Sequence, residues 1–201
     1  MNYIVSQFGY PKGIIGWIIG KIMAIKTKKR MLWGVAQLNI QKQDNILEIG
    51  FGPGTAIEKV AAIATEGFIT GIEISDIMKK QATKRLAKNI GQGQVKLELG
   101  SVSLLPYNDN SFDKVFTINS LLYWPNPVEA LKEVKRILKP DGVVAIIQQP
   151  RSMKTGLGVE ENGEDIFNQV TAAGFRNVVI DSKPMKPVTC WCVKAIKPLP
   201  G

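Results

Sequence analysis

The stretch Asn45–Val60, NILEIGFGPGTAIEKV, constrains the fold more than any other part of this chain. A short apolar run, Ile46–Ile49, meets glycines at alternate positions, Gly50, Gly52 and Gly54. A helical pattern follows at once, Thr55–Ala64, with Ile57, Val60, Ala61 and Ala64 on one face. Strand, glycine turn and helix N-terminus in this order make a ligand cradle. Glycines let backbone come close to a ligand, and the helix end offers N–H groups that no helical carbonyl takes. A phosphate loop of the form G-x-x-x-x-G-K-[ST] is excluded, because no lysine follows the last glycine. A dinucleotide turn, G-x-G-x-x-G, needs its third glycine where Thr55 stands; here it comes one position early. Glu48 precedes the turn within the strand. Glu73 lies near the end of the second strand, where an acidic side chain can accept both hydroxyls of a ribose. The arrangement fits a ligand that carries adenosine and says nothing against a nicotinamide dinucleotide.

Further strands are expected at Phe68–Ile74, Gln94–Leu99, Phe112–Ile118, Val143–Gln148, Phe175–Asp181 and Val188–Ile196. Helices are expected at Met31–Ile40, at Asp76–Ile90 with Ser75 as N-cap and Gly91 as its end, and at Asn126–Lys139 with Pro127 in the first turn. Val128, Leu131, Val134 and Leu138 form the inward face of the Asn126–Lys139 helix. A fifth helix spans Glu161–Ala173, closed by Gly174. The alternation argues for βαβ units and a parallel sheet covered on both faces. The last two strands are joined only by SKPMKP, too short for a parallel crossover, so they form an antiparallel hairpin. KPDG (139–142) reads as a turn and Arg151–Gly158 as a flexible loop. The expected organisation is a single domain, with residues 1–40 as an N-terminal helical lid and 41–201 as the core.

Composition narrows the chemistry. The 201-residue chain is 45% hydrophobic and 21% charged, ordinary for a soluble globular protein. It contains no histidine, which removes histidine triads, histidine metal ligands and a histidine general base together. Cys190 and Cys192 are too few and too close for a disulfide framework or a zinc site, so no metal is expected and the compartment reads as reducing and cytoplasmic. Alternating on one face of the last strand, they read as packing. The net charge of +9 is compatible with a solvated lysine-rich surface, an anionic membrane, nucleic acid or an acidic substrate. The apolar run Gly13–Ile25 is interrupted by Lys21 and falls short of the roughly 18–20 residues that span a bilayer. Most of its basic neighbours follow it, which is the wrong order for a secretory signal. It reads as a buried helix, an apolar lid carrying Trp17, or an interfacial helix in peripheral contact with a membrane.

Several motifs together carry a family resemblance. E-x-G-x-G-x-G at Glu48–Gly54, the acidic strand end in GIEIS, LPYNDNSFDKVF and ALKEVKRILKPDGVVAII resemble class I S-adenosylmethionine-dependent methyltransferases. The nearest likeness is to the ubiquinone/menaquinone-biosynthesis-like group of small-molecule enzymes. The resemblance covers about residues 45–150. It implies a Rossmann-like α/β fold with a seven-stranded, mostly parallel sheet of order 3-2-1-4-5-7-6, the last strand antiparallel and helices on both faces. It also implies S-adenosyl-L-methionine as cofactor. Gly50, Phe51, Gly52, Gly54 and Thr55 would face its methionine part, and Glu48 would organise that turn. Glu73 would hold the ribose, and Ile74 would pack on the adenine. Asn119 and Ser120 would lie near the amino group and sulfonium. Many members have an acidic residue after the third strand to contact the adenine amino group; Ser101 stands there, and with Val102 it is the expected contact.

Methyl transfer from a sulfonium is a direct displacement, in which position and a dry pocket matter more than a base. The acceptor is expected to be a small apolar or amphipathic molecule, lipid- or quinone-like. Leu121, Leu122, Tyr123 and Trp124 after the fourth strand are acceptor-side candidates, with Asn119 and Gln148. Trp124 either lines the pocket or packs under the helix that follows, and Gln148 and Gln149 either bond an acceptor or end a strand. The alternatives are an RNA or protein methylase, suggested by the charge, and a cofactor-binding protein without catalysis. A nicotinamide dehydrogenase is opposed by the glycine spacing and the hairpin. No nucleic acid partner is expected.

Overall fold

The computed structural model describes residues 27–150 and 163–199, together with Gly13 and Ile18. The part of the expected lid before Thr27, Trp17 included and Gly13 and Ile18 excepted, the loop Arg151–Gly158 and the first two residues of the helix expected from Glu161 lie outside the described residues. The seven strands form one sheet in the order β3-β2-β1-β4-β5-β7-β6. The chain divides into two compact units, Met1–Ser101 and Val102–Gly201.

In the first unit α1 (Lys28–Gln37) precedes β1 (Ile46–Ile49), α2 (Thr55–Ala61), β2 (Ile69–Glu73), α3 (Asp76–Arg85), α4 (Ala87–Gly91) and β3 (Val95–Leu99). β2 pairs in parallel with both β1 and β3. Every residue of β1 and β2 is buried, the pattern of parallel strands covered on both faces. α2 buries Ala56, Ile57, Val60 and Ala61, the face its spacing predicts; it stops at Ala61, and Ala64 is buried beyond its end. Ser75 caps α3 as expected, its hydroxyl oxygen accepting the Met78 N–H at 3.4 Å. The single helix expected over 76–90 is instead two. The break falls at Leu86, whose backbone leaves the helical region and whose side chain is wholly buried. Tertiary packing overrides a pattern that favoured one continuous helix.

In the second unit β4 (Phe112–Ile118) is followed by a 3₁₀ turn (Leu121–Tyr123), α5 (Pro127–Ile137), β5 (Leu138–Gln148), α6 (Gly163–Ala172), β6 (Arg176–Lys183) and β7 (Cys190–Ile196). β4 and β5 are parallel; β7 runs antiparallel to both β5 and β6, so SKPMKP does turn a hairpin. α5 buries Ala130, Leu131, Val134 and Ile137, while Leu138 is already the first residue of β5. β5 therefore starts earlier than its apolar run suggests. KPDG lies within it as an irregularity: Phe112 pairs with Leu138, then Lys114 with Val143, and Asp141 takes φ +60°. Two cations fasten the C-terminal end of α5. The Arg136 guanidinium donates to the Leu105 and Tyr107 carbonyls and to Asp109 and Glu133. Lys197 Nζ donates to Asn110 Oδ1 and to the Arg136 and Leu138 carbonyls, at 2.7–3.2 Å. These bonds hold the Leu105–Asn110 loop against the helix.

Candidate functional site

The glycine turn of the first unit is built around Glu73. Gly50, Gly52 and Gly54 take φ +75°, +51° and +77°, a region that costs other residues energy. The Gly50 N–H continues the ladder to the Ile72 carbonyl at 2.8 Å, and Gly54 N–H closes the turn on the Phe51 carbonyl at 3.0 Å. The Glu73 carboxylate then receives three backbone donors. Oε2 accepts the Gly52 N–H at 2.9 Å, and Oε1 accepts those of Ile74 and Ser75 at 2.9 and 3.0 Å. Burial pushes the Glu73 carboxyl up, and these three bonds work in the opposite direction. Gly52 keeps an open face: a Cβ built there meets nothing within 4 Å, whereas one at Gly54 lies 2.8 Å from the Ala82 Cβ of α3. Gly52 thus marks the cradle, and Gly54 marks a close helix contact.

Glu48 sits behind the turn. It pairs in register with Gly71 of β2, whose missing side chain leaves room for Ile57 and Phe51. Glu48 is 2% exposed. It accepts the Ile57 N–H in the first turn of α2, while its Oε2 is buried without a partner. Burial, and then the Glu73 charge, hold its carboxyl well above the usual range. Phe51 is buried and its side chain packs at Gly71. Thr55 begins α2 and is partly exposed. Ile74 is 46% exposed beside Glu73, an uncovered apolar side chain next to a carboxylate. Ser101 is exposed. Arg85 was not foreseen: its Nε donates to the Pro53 carbonyl at 3.0 Å, and its guanidinium pairs with Glu58 at 3.3 Å. It clamps the turn from α3 across 32 positions of sequence, and no local pattern announces it.

In the second unit the carboxyl ends of β4 and β5 are tied together. Asn119 takes φ +58°; its N–H donates to the Ile147 carbonyl, and its Oδ1 accepts the Gln149 N–H, both at 2.8 Å. The Asn119 amide N–H groups are the part these bonds leave unused. Ser120 Oγ bonds Thr117 Oγ1 and accepts the Trp124 indole N–H at 3.1 Å. Trp124 is buried, so packing accounts for it. Leu121 is also buried, while Leu122 is exposed and Tyr123 half-buried. Gln149 Nε2 donates to the Lys186 and Val188 carbonyls, fixing the β6–β7 turn. Gln148 is 1% exposed, with its Oε1 unpartnered. Val102 is buried. Cys190 and Cys192 are buried thiols outside any disulfide, with Cys192 pushed up to about 12 by burial. Among the described residues no acidic, cysteine or histidine cluster fit for a metal occurs.

Comparison with known proteins agrees with this reading. A methyltransferase domain model matches residues 47–146. The uncharacterized methyltransferase YdaC of Bacillus subtilis is 32% identical over 182 residues, covering 90% of this chain and 98% of its own. Demethylmenaquinone methyltransferase of Geobacillus kaustophilus is 31% identical, covering 62% of this chain and 54% of its own length. Among solved structures, an S-adenosylmethionine-dependent methyltransferase from Aquifex aeolicus superimposes with a TM-score of 0.75 at 18% identity, over 90% of this chain and 98% of that one. A glycine turn on a buried carboxylate, in a sheet of order 3-2-1-4-5-7-6, defines a class I Rossmann-like methyltransferase. The chain belongs to that S-adenosylmethionine-dependent methyltransferase family. It is an enzyme, and S-adenosylmethionine is its cofactor.

Proposed function

We propose that this enzyme methylates a small apolar or amphipathic molecule, and that Glu48, Gly50, Gly52, Gly54, Glu73 and Ile74 hold the cofactor. The observation that carries the cofactor assignment is the open face of Gly52 beside the Glu73 carboxylate. The residues fit the ligand chemically. Of the roughly four lone-pair sites of a carboxylate, the three N–H bonds leave one on Glu73 Oε2 to accept a ribose hydroxyl, and Ile74 offers an apolar surface for a ring. The buried Oε2 of Glu48 and the net charge of the Glu48–Glu73 pair suit a cationic group. The bound cofactor supplies an electrophilic methyl group. The chain supplies position.

For the acceptor, Leu122 and Tyr123 are the favoured contacts, because they are the accessible side chains after β4. The apolar run Gly13–Ile25 and the likeness to a demethylmenaquinone methyltransferase support a lipid- or quinone-like acceptor. The same run supports a cytoplasmic enzyme in peripheral contact with anionic membrane. The test is to incubate the enzyme with methyl-labelled S-adenosylmethionine and a cell extract, then fractionate. Label in the organic-soluble fraction is expected. Label in RNA or protein would replace this reading with the alternative that the +9 charge suggests.

A further inference from the structure

We propose that the free enzyme keeps a proton on Glu48 and that binding of S-adenosylmethionine expels it, so that cofactor affinity rises with pH. The geometry of the pair carries the inference, and it is independent of the acceptor. Glu48 and Glu73 lie in adjacent strands, β1 and β2, both buried and close enough that the Glu73 charge acts on Glu48. They are solvated very unequally. Glu73 receives three backbone N–H groups. Glu48 receives one, from Ile57, and its Oε2 is buried with no donor. A buried oxygen that carries charge without a donor costs far more than a neutral carboxylic acid in the same place. Of two coupled carboxyls the poorly solvated one therefore keeps the proton.

Among the described residues no cation relieves Glu48. Among the described residues Glu73 is the one charged group that acts on it. Glu58 and Lys59 of α2 lie exposed on the helix surface. Arg85 of α3 is engaged with the Pro53 carbonyl and Glu58. The ligand brings what is missing. S-adenosylmethionine carries a sulfonium and an ammonium against a single carboxylate. Positive charge arriving at the turn that Glu73 and Glu48 support favours the doubly ionised pair. The Glu48 O–H bond then breaks heterolytically; the electron pair stays on the carboxylate and the proton passes to buffer.

Calorimetric titration of the full-length protein with S-adenosylmethionine, at pH 6.5 in phosphate and in imidazole, tests this. At that pH the ligand's own amino group, of pKa about 7.7–8.0, is almost fully protonated and contributes little. Buffers of different ionisation enthalpy give different heats in proportion to the protons released. Proton release of up to one per site is expected, with Kd falling as pH rises, by at most about tenfold per pH unit. Glu48→Gln copies the neutral acid in shape; it should give equal heats in both buffers and a flat Kd. Infrared difference spectra of the unmodified enzyme should lose a protonated-carboxyl band on binding, which keeps the test independent of the variant. Binding with equal heats in both buffers and no such band would overturn the proposal. Absence of binding would overturn the cofactor assignment with it.

Discussion

Paired alanine substitutions in the glycine turn separate folding from binding. Gly52 and Gly54 are two positions apart and share a left-handed backbone, at φ +51° and +77°. An alanine in that region costs about 1–2 kcal/mol. Replacing glycine recovers about 0.4–1 kcal/mol of that through the unfolded chain. The two sites then diverge. At Gly54 the new Cβ lies 2.8 Å from the Ala82 Cβ, 3.1 Å from Leu86 and 3.2 Å from the Ala82 Cα. Ala82 is fully buried helix backbone and cannot swing away, so overpacking adds about 1–3 kcal/mol. At Gly52 nothing lies within 4 Å, and no such cost arises. Gly54→Ala should therefore lose roughly 2–4 kcal/mol against the roughly 5–15 available to a domain. Gly52→Ala should lose about 1 kcal/mol or less. Urea unfolding of the ligand-free protein, followed by tryptophan fluorescence, reads these differences. Calorimetry with S-adenosylmethionine supplies the second half: Gly52→Ala should bind at least about tenfold more weakly, since its methyl occupies the open face, a loss of about 1.4 kcal/mol. Equal destabilisation by both variants, or undiminished binding by Gly52→Ala, would refute the reasoning.

Three further outcomes follow from the same geometry. Glu73→Gln replaces two accepting oxygens by one, so at least one of the Gly52, Ile74 and Ser75 N–H groups loses its partner. It should cost about 1–3 kcal/mol in urea unfolding, and calorimetry should show S-adenosylmethionine binding weakened by at least tenfold, about 1.4 kcal/mol. The raised carboxyls of Glu48 and Glu73 make the folded ligand-free protein bind more protons than the unfolded chain above the usual carboxyl range. Their contribution to stability is thus full at low pH and is lost as pH rises through the folded values, by at most about 1.4 kcal/mol per unit for each group. Unfolding midpoints across pH should show that fall, and Glu48→Gln should flatten it. Cys192, buried and pushed up to about 12, should resist iodoacetamide at pH 8 in the native protein and react in urea; modification of the native protein, counted by mass spectrometry, would contradict its burial.

The parallel sheet was legible because its strands are short apolar runs separated by helical periods, and β4 matches its predicted span residue for residue. The strand–glycine turn–helix order was legible too, since glycine spacing is a local signal. What escaped the sequence is set by contacts between distant positions. Leu86 breaks a helix through its burial, and Arg85 reaches Pro53 from another element. Trp124 and Gln149 read equally well as ligand contacts or as packing. Their partners, Ser120 for the indole and the Lys186 and Val188 carbonyls for the amide, decide for packing, and only the second spans a long sequence distance. Gln148 resists in a different way: it is buried at the end of β5 with an unpartnered oxygen, which neither a strand end nor an exposed contact would predict.

The place of β7 bears on how the chain emerges during synthesis. Residues 190–196 are made after β6, yet they lie between β5 and β6 and pair with both. Until they have left the ribosome, the outer edge of β5 has no neighbour, and β6 has nothing to join. A nascent chain already holding β4 and β5 therefore presents Val143–Gln148, almost wholly apolar, as an open template for other strands. Slow translation over the last hairpin would lengthen that exposure, so chaperone demand and aggregation during expression should depend on how quickly the final strand is delivered.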